Sequence, residues 1–318
     1  MIILDDLDSE LNSLPYPVVA IGVFDGVHLG HQAILRRLVE RARKVGGTSV
    51  VLTFDPHPQK VISPADAPLL LQTREQKQEL LSQLGIEVVF QLPFTRRLSL
   101  LEPEEFVTGI LLSHGIREIY VGENFRFGHR RAGDFEMLKH LGEGIGLKVF
   151  PVEPLLFRGR RISSTRIRGS LLRGRVSLAR HLLGRPYRLE GSVICGDRRG
   201  VSLGFPTANL RLVNELIPET GVYATRSSVG RRSYLSVTNV GYRPTFHTVG
   251  GQPSVETHLL DFDRDVYGAN LTVEFCFRIR GEKKFDNPDS LKNRIAKDIS
   301  RARSVLPRGR EQPSRREN

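Results

Sequence analysis

The sequence predicts an α/β domain built on a doubly wound parallel sheet, followed by a small antiparallel barrel or sandwich that a C-terminal helix closes. Strand-like and helix-like stretches alternate over about the first 150 residues, which is typical of parallel sheets covered on both faces. After Tyr187 short alternating runs separated by turn signals predominate. The 318 residues are enough for two domains of ordinary size.

In the first domain, apolar and β-branched runs predict strands at residues 17–24, 48–54, 86–91, 118–121 and 147–152. Helical spacing predicts helices at residues 28–45, 73–84, 103–112 and 134–141. Thr73 is the predicted N-cap of the second helix. The proline-rich stretch from the second strand to Pro68 is predicted to be a loop.

In the second domain, strands are predicted at residues 188–195, 221–228, 234–240, 255–260 and 271–279, and an amphipathic helix at 290–305. We place the domain boundary after Gly184. The expected organisation is therefore residues 1–184, residues 185–305, and a basic, disordered tail at residues 306–318.

The basic residues concentrate in two places. The chain has 47 Lys+Arg against 35 Asp+Glu, a formal net charge of +12, and ten arginines lie between Arg158 and Arg188 without an acidic residue among them. Such an excess indicates anionic partners, either nucleic acid or phosphorylated small molecules. Helical spacing of Leu171, Leu172, Val176, Ala179 and Leu183 places an apolar face on a core and leaves these arginines for solvent or phosphates.

The composition predicts a cytoplasmic protein. No run of eighteen apolar residues is present, so no transmembrane helix is expected. The N-terminus is acidic where a secretory signal would be basic. The two cysteines, Cys195 and Cys276, lie in apolar runs and are predicted to be buried free thiols. We expect a monomer or weak homo-oligomer with no nucleic-acid or membrane partner.

The first candidate site lies between the first strand and the first helix, where residues 22–31 read Gly-Val-Phe-Asp-Gly-Val-His-Leu-Gly-His. Ligands of doubly wound sheets bind at such junctions, and helix N-termini bind anions. His28 and His31 lie on one helical turn and can project together toward a phosphate. Three alternatives stay open: a metal site without an obvious third ligand, an aspartyl phosphatase centred on Asp25 that lacks its second Asp, and a purely structural turn.

This segment resembles the His-x-Gly-His signature of the nucleotidyltransferase superfamily, which has a Rossmann-like fold. Residues 162–168, Ile-Ser-Ser-Thr-Arg-Ile-Arg, are similar to its second signature, although an ordinary N-cap is the alternative. The resemblance implies that both histidines stabilise charge on the α-phosphate of a nucleotide. It also implies a set of phosphate-binding residues, namely Gly22, Phe24, Asp25, Gly30, Arg161, Ser164, Thr165 and Arg168.

Three more stretches narrow the resemblance. They are Thr-Phe-Asp-Pro-His-Pro at residues 53–58, Gly-Glu-Asn-Phe-Arg-Phe-Gly at 122–128, and the pair of segments at 93–95 and 103–106. Together they resemble the FMN adenylyltransferase half of bacterial FAD synthetase. By that resemblance His57 lies near the phosphates, and Asn124 binds the nucleotide or the flavin.

The second candidate site follows a glycine-rich stretch. Residues 203–210 read Leu-Gly-Phe-Pro-Thr-Ala-Asn-Leu, and Gly196, Gly200 and Gly204 are the predicted phosphate loop. Thr207 and Asn209 are alternate residues of an extended segment, so they point the same way. Their neutral oxygens suit a hard cation such as Mg²⁺. From spacing alone, an ordinary turn is the alternative.

The string Gly-Phe-Pro-Thr-Ala-Asn resembles the signature of riboflavin kinase, which implies a six-stranded Greek-key barrel. Residues 221–224, 238–246 and 255–262 support the resemblance. It implies that Glu256 is the catalytic base and that Arg294 of the closing helix borders the flavin site; a structural ion pair is the alternative for Glu256. The family usually has Arg at the position of Val201; either Arg198 or Arg199 supplies that charge or the phosphate loop binds more weakly.

The two resemblances agree in order along one chain. They predict an enzyme that phosphorylates riboflavin to FMN and adenylylates FMN to FAD, with ATP as co-substrate and Mg²⁺ as cofactor. One alternative is a cytidylyltransferase-like enzyme acting on another phosphorylated acceptor. The other is an RNA-binding regulatory protein, which would account for the arginines after Arg158 and predicts steeply salt-dependent RNA affinity.

Overall fold

The structure is a computed structural model that describes residues 1–5, 13–196, 200, 203–242 and 253–306. The chain divides into two compact units, Met1–Ser164 and Thr165–Asn318. The predicted boundary after Gly184 lies further along, behind a pair of helices, and stays a prediction. The predicted tail lies, apart from Leu306, outside the described residues, as do Arg198, Arg199 and Val201.

The first unit contains a six-stranded parallel sheet, which confirms the predicted doubly wound α/β class. The strands are β1 (Ile2–Leu4), β2 (Pro17–Ile21), β3 (Thr48–Asp55), β4 (Val88–Pro93), β5 (Glu118–Gly122) and β6 (Lys148–Val152). Their order is β1-β4-β3-β2-β5-β6, and all pairs are parallel. The edge strand β1 was not predicted, because three apolar residues at a chain start give too short a pattern.

The helices of this unit begin and end close to the predicted positions. They are α1 (Leu29–Val45), α2 (Pro58–Ile62), α3 (Arg74–Gln83), α4 (Pro103–Phe106) and α5 (Phe135–Glu143). The fourth continues as a π-helical turn over Val107–Leu112. Thr73 caps α3 in a capping box with Gln76, as predicted for the cap. The short helix α2 occupies a stretch predicted to be loop, since Pro58 at its first turn is compatible with a helix start.

The central strands β2, β3 and β4 are buried on both faces, so alternate residues enter two separate cores. Val19 and Val50 belong to one core, and Val18 and Val51 belong to the other. Central parallel strands covered by helices on both sides therefore need near-continuous apolar runs. This accounts for the strand signals in the first domain.

A buried ion pair closes the amino end of β5. Glu118 is fully buried and accepts hydrogen bonds from Arg41 of α1 at 2.7 and 2.6 Å and from the Tyr16 hydroxyl at 2.9 Å. The hydrogen bond from Arg41 lowers the pKa of Glu118 against the opposing effect of burial. This carboxylate joins the helix, the sheet and the segment before β2 at the edge opposite the carboxyl ends of the strands.

The second unit is a closed barrel of six antiparallel strands with helices around it, which confirms the predicted all-β class. Two helices, α6 (Ser164–Leu171) and α7 (Val176–Leu183), precede the barrel, and α8 (Pro288–Val305) follows it. The strands are β9 (Tyr187–Ile194), β10 (Ala208–Leu212), β11 (Gly221–Val229), β12 (Arg232–Gly241), β13 (Ser254–Leu259) and β14 (Asn270–Arg280). Around the barrel they follow the order β10-β13-β12-β11-β14-β9. A two-stranded hairpin, β7 (Leu156–Phe157) and β8 (Arg160–Arg161), belongs to the first unit.

The barrel interior is partly polar. Five fully buried hydroxyl residues on three neighbouring strands form one chain of hydrogen bonds of 2.7 to 3.0 Å: Ser227, Ser236, Thr225, Thr238 and Thr257. Because each hydroxyl both donates and accepts, such a chain can satisfy buried oxygens without water. The interior residues of β13 are thus separated from Glu256, which alternates to the outer face.

Two burial predictions are wrong. Leu172 is 48% exposed, because α6 ends at Leu171 and the apolar face does not continue past it. Cys195 is exposed, because β9 ends at Ile194 and the thiol begins the following loop, whereas Cys276 is buried as predicted. Burial raises the pKa of the Cys276 thiol.

We expect Arg41→Met to lower the free energy of unfolding by about 3–5 kcal/mol at neutral pH, since it leaves the buried Glu118 carboxylate unpaired. The loss should shrink in acid. The folded pKa of Glu118 lies below its ordinary value of 4.5, so its stabilising effect is present above that value and lost as the pH falls through the folded pKa. Urea denaturation against pH measures both effects. The exposed Arg36→Met on the same helix is the control, and equal losses in the two variants would contradict the prediction.

Candidate active sites

The first site is built on the loop from β2 to α1, which leaves the sheet where its winding direction changes. β2 pairs with β3 on one side and with β5 on the other. Loops at the carboxyl ends of such neighbouring strands diverge to opposite faces and leave a crevice that binds ligands. Residues 22–28 lie at this position, as the sequence predicts.

His28 and His31 lie together at the start of α1. His28 is the N-cap, and its Nδ1 accepts the backbone amide of His31 at 3.2 Å. The neutral ring of His28 therefore carries its proton on Nε2, where it can donate to an anion. The two rings stack with centroids 3.6 Å apart and planes 15° apart, and Phe24 meets His31 edge-on with centroids 5.2 Å apart.

Two glycines of the motif leave room for these rings. A Cβ on Gly30 would lie 3.2 Å from Nδ1 and Cε1 of His28, and one on Gly22 would lie 3.2 Å from the Phe24 ring. Both distances are shorter than ordinary van der Waals contact between carbon atoms. A larger residue at either position would therefore displace the neighbouring ring by a few tenths of an ångström.

Asp25 and Ser164 tie the loop to its surroundings. The Asp25 carboxylate, 4% exposed, accepts the backbone amide of Leu71 at 2.9 Å. The Ser164 hydroxyl donates to the backbone carbonyl of Asp25 at 2.8 Å. The structure therefore brings Ser164 of the second predicted motif to the first motif, with the Ser164 hydroxyl engaged in a hydrogen bond to a backbone carbonyl.

The remaining predicted residues of this site are less closely grouped. His57 follows β3 and caps α2, accepting the amide of Gln59 at 3.1 Å, and Asn124 is exposed in the turn after β5. Their loops leave the same sheet edge as the His pair, because β3 and β5 flank β2. Arg161 is exposed on β8. Thr165 and Arg168 lie on α6 in the second unit.

The second site is a cavity of about 450 Å³ at one end of the barrel and the face of α8. It is lined by four predicted residues, Gly200, Thr207, Asn209 and Glu256. Gly196, Gly204 and Arg294 are not among its lining residues. Sequence reasoning missed several polar and aromatic residues that do line it, which are Asn239, His258, Arg280, Glu282, Phe285 and Asp298.

Strand register places the polar side chains of the cavity side by side. Asn209 of β10 is opposite Glu256 of β13, which is opposite Asn239 of β12. Residues directly opposite one another point to the same face of a sheet. The predicted base therefore lies between two amides, one of which had been predicted as a metal ligand.

Close packing explains the predicted loop glycines beside these ligands. A Cβ on Gly196 would clash with the Asn209 amide, and one on Gly200 would clash with the Phe205 carbonyl and lie 3.3 Å from Thr207 Oγ1. The Phe205 amide in turn donates to the Gly200 carbonyl at 2.8 Å. The glycines thus allow the loop to lie directly on the segment that carries Thr207 and Asn209.

His258 and Asp298 hold opposite walls of the cavity. His258 Nδ1 donates to the Pro206 carbonyl at 2.7 Å, which fixes the residue before Thr207. Asp298, 2% exposed on α8, pairs with Arg280 at 2.9 Å and with Arg294 at 3.2 Å. Arg294 therefore reaches the cavity through the carboxylate of Asp298.

The part of the chain that the structure describes contains neither a cluster of metal-binding side chains nor a membrane-spanning helix. No group of three or more His, Cys, Asp and Glu side chains there is arranged to hold a metal ion, so no third ligand joins His28 and His31. No helix in the same described ranges is long and apolar enough to cross a lipid bilayer.

Comparison with known proteins matches two families to successive parts of the chain. The FAD synthetase family model matches residues 12–166, and the riboflavin kinase family model matches residues 183–306. A bifunctional riboflavin kinase/FMN adenylyltransferase of Pseudomonas fluorescens is 40% identical over 91% of this chain and 92% of its own. Proteins of the same name from Bacillus subtilis and Escherichia coli K12 are 39% and 37% identical, over 90% and 91% of this chain and 91% and 92% of their own.

Fold and sites together define a class of ATP-dependent transferases that carry a nucleotidyltransferase sheet and a kinase barrel in one chain. The chain belongs to the family of bifunctional riboflavin kinase/FMN adenylyltransferases. The cytidylyltransferase-like and RNA-binding alternatives are not favoured, since neither accounts for the second matched domain.

A solved structure with a different name shares the fold. A chain titled as a macrolide-efflux protein from Streptococcus pneumoniae superposes with a TM-score of 0.84 at 30% identity, covering 95% of this chain and 99% of its own. That title describes transport, whereas the named sequence relatives and both family models describe flavin enzymes. The family assignment rests on these.

We expect Gly30→Ala to lower the kcat of FMN adenylylation about tenfold, because the new Cβ would push the His28 ring from its place and small displacements at a reacting centre are costly. Steady-state assays of FAD formation measure this effect. Gly109→Ala is the matched control, since a Cβ there meets no atom within 4 Å. An unchanged kcat in Gly30→Ala would contradict the packing argument.

Proposed function

We propose that the two sites catalyse consecutive reactions and that the residues predicted from the motifs carry them. In the barrel, the 5′-hydroxyl of riboflavin attacks the γ-phosphorus of ATP to give FMN and ADP. At the parallel sheet, the FMN phosphate attacks the α-phosphorus of a second ATP to give FAD and pyrophosphate. The observation that carries the proposal is that Glu256, Thr207 and Asn209 share one cavity in a chain whose other unit holds the stacked His pair.

Adenylylation needs positioning and positive potential rather than a protein nucleophile. The Nε2–H of His28 and the ring of His31 lie at the N-terminus of a 17-residue helix, whose dipole favours an anion there. In the proposed mechanism they donate to the oxygens of the α-phosphate as charge develops on it. Backbone groups of the motif glycines approach the phosphates, and the side chains that bind them are Arg161, Ser164, Thr165 and Arg168.

Phosphorylation needs a base for the attacking hydroxyl. Glu256 is half-buried on the face that lines the cavity, with Asn209 and Asn239 on either side. In the proposed mechanism its carboxylate accepts the 5′-hydroxyl proton as the oxygen bonds to phosphorus, and ADP leaves. Arg294 borders the flavin site and acts on the cavity through Asp298.

At the other site, Asn124 binds the nucleotide or the flavin, and His57 lies near the phosphates.

A magnesium ion fits the oxygen donors in this cavity. The Thr207 hydroxyl and the Asn209 amide are neutral oxygens beside the predicted phosphate loop, and Asn209 is 7% exposed. Mg²⁺ keeps several waters and commonly binds few protein ligands together with substrate phosphates. When bound, it would neutralise charge on the phosphates of ATP. Thr207 and Asn209 would hold it, and His258 keeps their segment in place.

The proposal includes a cytoplasmic location and no nucleic-acid partner. Leu171, Val176, Ala179 and Leu183, which lie among the arginines after Arg158, are buried in the second unit, as the sequence predicts for a core-facing side. We propose that arginines of this segment bind triphosphates rather than nucleic acid. A monomer or weak homo-oligomer stays the expected state.

We expect His31→Ala to abolish FAD formation from FMN and ATP while FMN formation from riboflavin stays within about twofold, because the ring donates only at the adenylylation site. Chromatographic separation of flavins measures both products in one assay. Loss of both activities in a folded variant would contradict the assignment of separate sites.

We expect Glu256→Gln to lower the kcat of riboflavin phosphorylation about 10²–10⁴-fold, which is the usual contribution of a general base. Adenylylation of added FMN should continue at the rate of the unchanged chain. Asn270→Ala, at the exposed start of β14, is the control for changes on the barrel surface. Phosphorylation within threefold of normal in Glu256→Gln would exclude this residue as the base.

A further inference from the structure

The loop that carries the His pair has an unfavourable backbone conformation. Phe24, Gly26 and Val27 have φ angles of 51°, 85° and 35°. Left-handed angles are costly for side chains other than glycine, and above all for bulky or β-branched ones such as Phe and Val. Residues persist in such conformations only where the surrounding structure holds them there.

Side chains from outside the loop donate hydrogen bonds to the backbone carbonyls of Val23 and Phe24. The Val23 carbonyl accepts hydrogen bonds from the Thr53 hydroxyl at 3.2 Å and from Lys77 Nζ at 3.3 Å. The Phe24 carbonyl accepts one from Gln72 Nε2 at 3.0 Å, besides the one from the Val27 amide within the loop at 3.2 Å. We call Thr53, Gln72 and Lys77 the loop clamp. They come from β3, from the residues before α3, and from α3 itself.

The loop clamp acts in a dry environment. Thr53 is 0% exposed and Gln72 is 5% exposed. Burial lowers the pKa of the Lys77 ammonium group, although the charges of Asp25 and Asp55 oppose this effect. Each of the two carbonyls accepts two hydrogen bonds, so removing one clamp residue leaves one of them with a single donor. Little water can replace the lost donor there, so the hold on the strained backbone weakens.

The held residues touch the reacting side chains. Phe24 is 2% exposed and its ring packs edge-on against His31, which stacks on His28. A shift of the Phe24 backbone would therefore move the His pair relative to a bound triphosphate. Neither Gln72 nor Lys77 belongs to the motifs at residues 22–31 or 162–168.

We propose that Gln72, Thr53 and Lys77 are positioning residues for adenylyl transfer, which hold the strained loop so that His28 and His31 meet the α-phosphate. The proposal rests on the proposed roles of the two histidines. It assigns to α3 and the residues before it a function in the reaction, although none of their side chains need touch a substrate.

The central test is Gln72→Leu, a substitution of similar size that removes the side-chain donor to the Phe24 carbonyl. We expect the kcat of FMN adenylylation to fall about 10- to 100-fold with the KM for ATP within twofold, since displaced groups lose more in the transition state than in binding. Ring signals of His28 and His31 in ¹H–¹⁵N NMR spectra should shift. Riboflavin phosphorylation should not change.

Gln83→Leu is the matched control, because Gln83 is exposed on α3 and bonds only to the side chain of Glu79 among the described contacts. Thr53→Val is isosteric and carries the same test if Gln72→Leu fails to fold; its expected fall in kcat is reversed in Thr53→Ser. Lys77→Arg, which keeps a donor, should be closer to normal than Lys77→Met.

A folded Gln72→Leu or Thr53→Val with kcat within twofold of normal and unshifted histidine signals overturns the proposal. A fall in kcat with unshifted histidine signals overturns it as well, since the effect would not pass through the His pair. The variant His31→Ala distinguishes failure of the proposed histidine roles from failure of the loop clamp alone. If His31→Ala still forms FAD, the proposed role of the histidines fails; if it does not and Gln72→Leu does so normally, only the loop clamp fails.

Discussion

The hydrogen bond from the His31 amide to His28 Nδ1 is the interaction on which the first site depends. It begins α1, and it leaves the proton of the neutral His28 ring on Nε2. One bond thereby sets a helix start, a tautomer and the stacking of two rings 3.6 Å apart. The parallel sheet brings this helix start to the point where the strand order reverses, and the buried Glu118 pair holds α1 at the far end.

The barrel reaches a comparable result by register instead of by a helix start. Asn209, Glu256 and Asn239 lie opposite one another on three adjacent strands, so their side chains face one cavity. The opposite faces of two of these strands, β12 and β13, carry part of the buried hydroxyl chain, which runs from β11 to Thr257. A helix start fixes the polar groups in the first unit, and strand pairing fixes them in the second. Such fixed placement suits reactions that depend on positioning and charge.

The sequence predicted those features that have a local signal, and it missed those that depend on pairing. Helical spacing was enough to predict that His28 and His31 lie together, and apolar runs were enough to predict the core strands. β1 was missed because an edge strand of three residues has no pattern of its own. Asn239, Asp298 and Gln72 were missed because strand register and helix packing bring them to their sites. Cys195 was predicted to be buried because it continues an apolar run. The strand β9 ends one residue earlier, at Ile194, and sequence patterns do not fix the last residue of a strand.

The glycines at 196 and 200 have a consequence for how this barrel can evolve. Each lies so close to a ligand-bearing residue that even a methyl group would strike the Asn209 amide or the Phe205 carbonyl. Every single-nucleotide change that replaces either glycine by another residue adds at least that methyl group. Such a mutation can therefore disturb the kinase site while Thr207, Asn209 and Glu256 stay unchanged. We therefore expect purifying selection on these backbone positions to be as strong as on the side chains that react.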